Sequence, residues 1–165
     1  MRIAIIFLFI FKTQIAFSSL HILVPKDSIR ADSLVAFSKS LLGIKYKYSS
    51  CSPKTGFDCS GFVYYVFAHF NVTIPRSSIE YKSIKTNLKI DSAKIGDIIV
   101  FTGTNSRNRN PGHVGIVISK AGEELTFMHS SSGKKHKRVV ISTFNESPYY
   151  KKRFIKIVRL ERVYN

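Results

Sequence analysis

An α+β domain is what this sequence predicts, with helices in its first half and a mostly antiparallel sheet in its second. Three observations carry that expectation. Up to about Asn71, apolar residues recur at helical spacing. Beyond Gly96 the texture changes to short β-branched and aromatic runs separated by turn residues. With 165 residues, 44% of them hydrophobic and 22% charged, the chain has enough apolar material for one packed core and hardly for two.

The elements follow in order. Arg2, an apolar run over residues 3–11 and the small residues Ala16 and Ser18 read as a signal peptide over residues 1–18. Ala16 is a competing cleavage position, and an uncleaved membrane anchor is the rival reading, although the run is short for a span. An irregular extension over residues 19–31 precedes the domain, assigned to residues 32–165. Asp32 is expected to cap a helix reaching Leu41 or Leu42, with Gly43 ending it. A loop rich in Tyr, Ser, Pro and Gly spans residues 45–57. Asp58 then caps a helix from Cys59 to near Asn71, with Phe62, Val66, Phe67 and Phe70 at helical spacing. Residues 74–93 are polar and weakly patterned, with a short helix after Arg76. Strands are expected over residues 97–102, 113–119, 125–130, 138–144 and 154–160, and a long exposed loop over residues 103–112.

Charge is the compositional outlier. Twenty-six Lys and Arg against 10 Asp and Glu give +16, and losing Arg2 and Lys12 with the signal leaves +14. Such a field draws a protein toward polyanions. The basic residues are dispersed and no nucleic-acid motif accompanies them, so anionic envelope polymers fit an exported chain better than nucleic acid.

The chemistry centres on Cys59. A thiol in the first turn of a helix sits among unpaired N–H groups and at the positive end of the helix dipole, where its anion is favoured. The competing readings are a small buried hydrophobe and a Cys51–Cys59 disulfide closing the loop that holds Pro53 and Gly56. A thiol nucleophile needs a base, and the base an orienting partner. Of His21, His69, His113, His129 and His136, only His113 and His129 fall on neighbouring strands with a shared face. A three-residue loop, Lys120-Ala121-Gly122, centred on Ala121 places them opposite one another to within about one residue. Gly115 beside His113 is expected to leave that face open to a substrate backbone. Zinc on Cys59, His113 and His129 is the metal alternative; neither C-x-x-C nor H-E-x-x-H is present, and no metal or cofactor is expected.

Residues 43–48 (GIKYKY), 58–63 (DCSGFV), 74–78 (IPRSS), 95–101 (IGDIIVF), 112–117 (GHVGIV) and 128–131 (MHSS), in this order, resemble the NlpC family of papain-like bacterial cell-wall cysteine peptidases. The resemblance covers about residues 32–160. It implies a papain-like domain with Cys59 as nucleophile, His113 as general base and acid, and His129 as the orienting third residue. Tyr46 matches the family's active-site tyrosine, and Asp58, Ser60, Arg76 and Gly115 are assigned to substrate binding or site support. The implied reaction is hydrolysis of peptidoglycan stem peptides, typically between γ-D-glutamyl and a diamino acid such as meso-diaminopimelate, by an exported, monomeric enzyme acting in the periplasm or outside the cell. Ser49-Ser50 replaces a glycine pair common in the family, Lys45 stands where many members have proline, and no wall-binding repeats accompany the domain. A thiol amidase or acyltransferase of the envelope, and a catalytically silent basic envelope-binding protein, are the alternative functions.

Overall fold

The computed structural model describes residues 28–86, 88–160 and 163–164. The segment read as a signal peptide, most of the segment read as an extension, and His21 lie outside the described residues. β1 (Ile29–Arg30) leads into α1 (Ala31–Ser40), and a hairpin of β2 (Cys51–Ser52) and β3 (Gly56–Phe57) precedes α2 (Cys59–His69). Two 3-10 turns, Ser78–Lys82 and Ile90–Ser92, bring the chain to β4 (Ile98–Thr102) and β5 (Pro111–Val117). Then come β6 (Thr126–Ser130), β7 (Val139–Thr143), α3 (Pro148–Arg153), β8 (Phe154–Val158) and β9 (Val163–Tyr164).

β4 to β8 form one antiparallel five-stranded sheet in the order β7-β6-β5-β4-β8. Strand alternation divides the core in two. Ile98, Val100, Val114, Ile116 and Met128 face the helical layer, where Phe62, Val63, Val66 and Phe67 of α2 are fully buried. Ile99, Phe101, Val117, Phe127 and Ile157 face the opposite side, with Phe144, Tyr150 and Phe154 packed over them. Because both faces are covered, β4 reads as a continuous apolar run rather than an alternating one. Each large side chain so buried contributes about 1.5–3 kcal/mol.

α2 is anchored at its start. The Asp58 carboxylate accepts from the Gly61 N–H at 2.6 Å, as the cap expected from sequence. A Cβ at Gly61 would stand 2.2 Å from the Ser50 carbonyl oxygen, so glycine lets the loop lie directly on the first turn.

Several expectations are corrected. Asp32 is not the cap of α1: the N-cap is Arg30, without a side-chain cap bond, and Asp32 lies in the first turn, bonded to Arg30. The loop over residues 45–57 contains the β2–β3 hairpin, whose few residues are too short for a periodic signal. β1 pairs in parallel with β9, so the fold reaches back into the segment read as extension. The helix after Arg76 is a 3-10 turn capped through Ser77 and Glu80. α3 had no counterpart in the sequence reading, although Ser147 caps it and Pro148 opens it.

Gly115 is also corrected. It is buried, and an added Cβ would meet the Phe127 ring at 2.8 Å and the Met128 carbonyl at 2.9 Å. The missing side chain makes room for β6 and leaves no opening for substrate.

Candidate active site

The first turn of α2 gathers a charged cluster. Asp58 Oδ1 accepts from Ser60 Oγ at 3.1 Å and Arg76 Nη1 at 3.1 Å, and Oδ2 accepts from Arg76 Nη2 at 2.8 Å. The bidentate Arg76 thus matches a carboxylate that is almost wholly buried. Asp58, Ser60, Arg76, Tyr46 and Cys59 line one open cleft of about 440 Å³, with Cys51 and Gly112 on its wall.

Cys59 and Cys51 are both free, so the disulfide reading is not met. The Cys59 thiol is 9% exposed and donates to the Gly112 carbonyl at 3.9 Å. Burial pushes its pKa up; the N–H groups of Val114, Ser60 and Cys59 itself pull the other way without prevailing. The expectation that the helix start would lower this pKa is therefore corrected for the resting site: desolvation outweighs the helix start. Tyr46 is raised as well, first by burial and then by the nearby Cys59 and Asp58.

The two histidines meet. His113 Nε2 and His129 Nδ1 are 2.9 Å apart, with the rings edge to face. The β5–β6 register pairs Ile116 with Met128 and Val117 with Phe127, which centres the hairpin on Gly122 and not on Ala121. His113 and His129 are consequently diagonal neighbours, and imidazoles are long enough to close that separation. His129 Nε2 has two further partners, Ser142 Oγ at 3.0 Å and Tyr150 Oη at 3.1 Å. Burial holds both imidazoles well below the ordinary histidine range, with Arg153 adding to the effect on each. The resting pair is thus neutral.

His113 is not hydrogen-bonded to Cys59. Its neighbours on either side are: Gly112 through its carbonyl and Val114 through its N–H both face the sulfur. His113 also lines a smaller cavity of about 160 Å³ with Ser131, Tyr149, Tyr150 and Arg153. A thiol, an adjacent imidazole and N–H groups at a helix start are together suited to acyl transfer. Of the remaining histidines, His69 stacks on Phe37 at 3.6 Å and is packed away from this centre.

Comparison with known proteins decides the family. The NlpC/P60 family model matches residues 43–159. The chain belongs to the NlpC/P60 family. It is 32% identical to the Gamma-DL-glutamyl hydrolase of Bacillus subtilis (strain 168) over 137 residues, covering 83% of this chain and 32% of that protein. It is 35% identical to the Murein DD-endopeptidase MepS/Murein LD-carboxypeptidase of Escherichia coli (strain K12) over 114 residues, 68% of this chain and 53% of the relative. The chain therefore spans about a third to a half of the length of these relatives. Among solved structures, an NlpC/P60 family protein from Bacillus cereus ATCC 10987 superposes with a TM-score of 0.68 at 27% identity, over 82% of this chain and 41% of that one. The α+β, papain-like NlpC/P60 architecture is thereby established, and with it the resemblance drawn from sequence.

Three residues of this NlpC/P60 site escaped the sequence reading. Ser142 carried a signal, since it pairs with Phe127 on the strand beside His129 and strand alternation puts it on the same face. Tyr150 and Arg153 ride on α3, whose only sequence mark is the Ser147-Pro148 start.

Proposed function

We propose that this NlpC/P60 domain is a cysteine endopeptidase that hydrolyses the bond between γ-D-glutamyl and a diamino acid in peptidoglycan stem peptides. The observation that carries this reading is the Cys59 thiol lying against the two residues that flank His113, while His113 is held from behind by His129. The names of the relatives support the substrate class.

His113 spends Nε2 on His129, which leaves Nδ1 for the thiol. In the productive tautomer His113 donates its Nε2 proton to His129 Nδ1, and His129 donates its own Nε2 proton to Ser142 or Tyr150. On substrate binding His113 takes the Cys59 proton, and the thiolate attacks the γ-carbonyl carbon. The Cys59 N–H, at the helix start, stabilises the oxyanion. His113 then hands its proton to the departing amine as the C–N bond breaks, leaving a thioester. Water, deprotonated by His113, attacks the thioester carbonyl and returns the thiol. His129 lacks a carboxylate's charge, so it sets the tautomer more than it stabilises an imidazolium.

Tyr46 and the Asp58–Arg76 pair line the cleft together with Cys59, which supports binding of the acyl portion of the peptide there. The dispersed charge, +14 once Arg2 and Lys12 are lost with the signal, supports recruitment of an exported monomer to anionic envelope polymers. Digestion of purified muropeptides, read by mass spectrometry, tests the reaction. Fragments ending in γ-D-glutamate support it; sugar chains freed with intact peptides would replace it with an amidase.

A further inference from the structure

We propose that the cavity beside His113 is a subsite for a side-chain carboxylate on the leaving residue of the substrate, bound by Arg153. The subsite rests on the peptidase reading, because that reading fixes which part of the peptide lies here. The group that protonates the departing nitrogen must touch it, so the residue contributing that nitrogen sits beside His113. The acyl portion, bonded to the Cys59 sulfur in the thioester, belongs to the larger cleft that Cys59 lines with Tyr46, Asp58 and Arg76. The smaller cavity, which His113 lines and which shares no lining residue with that cleft, is left for the leaving residue.

Its chemistry is set by one buried cation. Arg153 is 5% exposed and lines the cavity, yet among the described residues no carboxylate pairs with it. A buried charge ordinarily has an opposite charge beside it. Two of its nitrogens are engaged with backbone: Nε donates to the Gly103 carbonyl at 2.9 Å and Nη2 to the Thr102 carbonyl at 2.6 Å. Among the described residues Nη1 has no hydrogen-bond partner. Tyr149 stacks against the guanidinium, 4.4 Å from ring centroid to Cζ, and holds it in place. Ser131 and Ser132 add hydroxyls to the same wall. A fixed guanidinium with a spare N–H group beside hydroxyls suits a carboxylate and repels an ammonium. A diamino dicarboxylic acid such as meso-diaminopimelate carries a carboxylate at the end of its side chain; lysine carries only the ammonium.

The test uses the full chain and three muropeptides that differ only in the leaving residue: meso-diaminopimelate with a free side-chain carboxylate, the same residue amidated there, and L-lysine. The free carboxylate is expected to raise kcat/KM at least tenfold over both others, mainly through KM. Arg153→Gln should bring the three rates together. Because Arg153 also ties α3 to the end of β4, Ser132→Asp serves as a second variant. Ser132 is exposed and, among the described residues, without a side-chain hydrogen bond, and a carboxylate there would occupy the guanidinium and erase the preference. Equal wild-type rates on the three peptides would overturn the subsite and leave the peptidase intact. Cleavage of none of them would overturn the peptidase reading and the subsite with it.

Discussion

Desolvation and the helix start act in opposite directions on Cys59, and desolvation prevails at rest. A buried neutral thiol beside a buried neutral imidazole stores no separated charge, so proton transfer waits for the substrate. This makes the tautomer of the imidazole pair the critical setting, and Ser142 and Tyr150 control it through His129 Nε2. Tyr150→Phe keeps the ring packed on Phe101 and Phe127 while removing the hydroxyl. Because Ser142 remains, a loss of only a few-fold in kcat is expected for Tyr150→Phe alone. Combined with Ser142→Ala it should cost about tenfold or more in kcat with KM little changed, since the two hydroxyls removed are spent on His129 Nε2 and act through its orientation. Steady-state kinetics checks the split; a loss carried by KM would refute this role. Cys59, His113 and His129 stand out from the residues themselves, and Tyr46, Asp58, Ser60 and Arg76 with the family resemblance. The structure brings Tyr46, Asp58, Cys59, Ser60 and Arg76 to one cleft and His113 to His129. What was not legible was the thiol's raised pKa, because burial is a property of packing that spacing does not contain.

The start of α2 and the β5–β6 hairpin do most to fix the geometry. Asp58 caps the helix, pairs with Arg76 and holds Ser60, so one carboxylate ties loop, helix and cleft wall together. Gly61 is demanded by the Ser50 carbonyl, an approach that a methyl group cannot share. Gly61→Ala should destabilise the fold by about 1–3 kcal/mol through backbone displacement, although alanine ordinarily gains about 0.5–1 kcal/mol over glycine in a helix. Chemical denaturation measures this, and an unchanged or raised midpoint would contradict it. The five long strands were readable because alternation and turn residues bound them, and the structure places them within a few residues of expectation. β1, β2, β3 and β9 were not, since each has two residues and no period. The hairpin centre missed by one residue, from Ala121 to Gly122. In a hairpin that moves the partner by two, so the face was right and the pairing diagonal.

In the molecule as a whole, two buried neutral histidines make stability depend on pH. Their folded pKa values lie below the ordinary value of 6.5. Below that pH the unfolded chain binds more protons than the native one, so stability rises with pH there and is lost as pH falls through and beneath 6.5. Each imidazole that stays neutral costs about 1.4 kcal/mol per pH unit in this range. Thermal unfolding between pH 7 and pH 5 should show a falling midpoint, with a shallower fall in His129→Gln; a flat profile would contradict the burial. The overall α+β layering was legible from the order of helices and strands, because each layer announces itself by its own period. The second core layer beneath α3 was not, because it is assembled from residues far apart in sequence such as Phe101, Phe127, Phe144 and Tyr150. The account turns on the Cys59 thiol as nucleophile, and muropeptide digestion by paired cysteine variants tests that most directly. Cys59→Ala should leave the γ-D-glutamyl bond intact, with a loss of about a thousandfold or more, while Cys51→Ser cleaves close to the wild-type rate. Cleavage surviving in Cys59→Ala, or lost in Cys51→Ser, would contradict it.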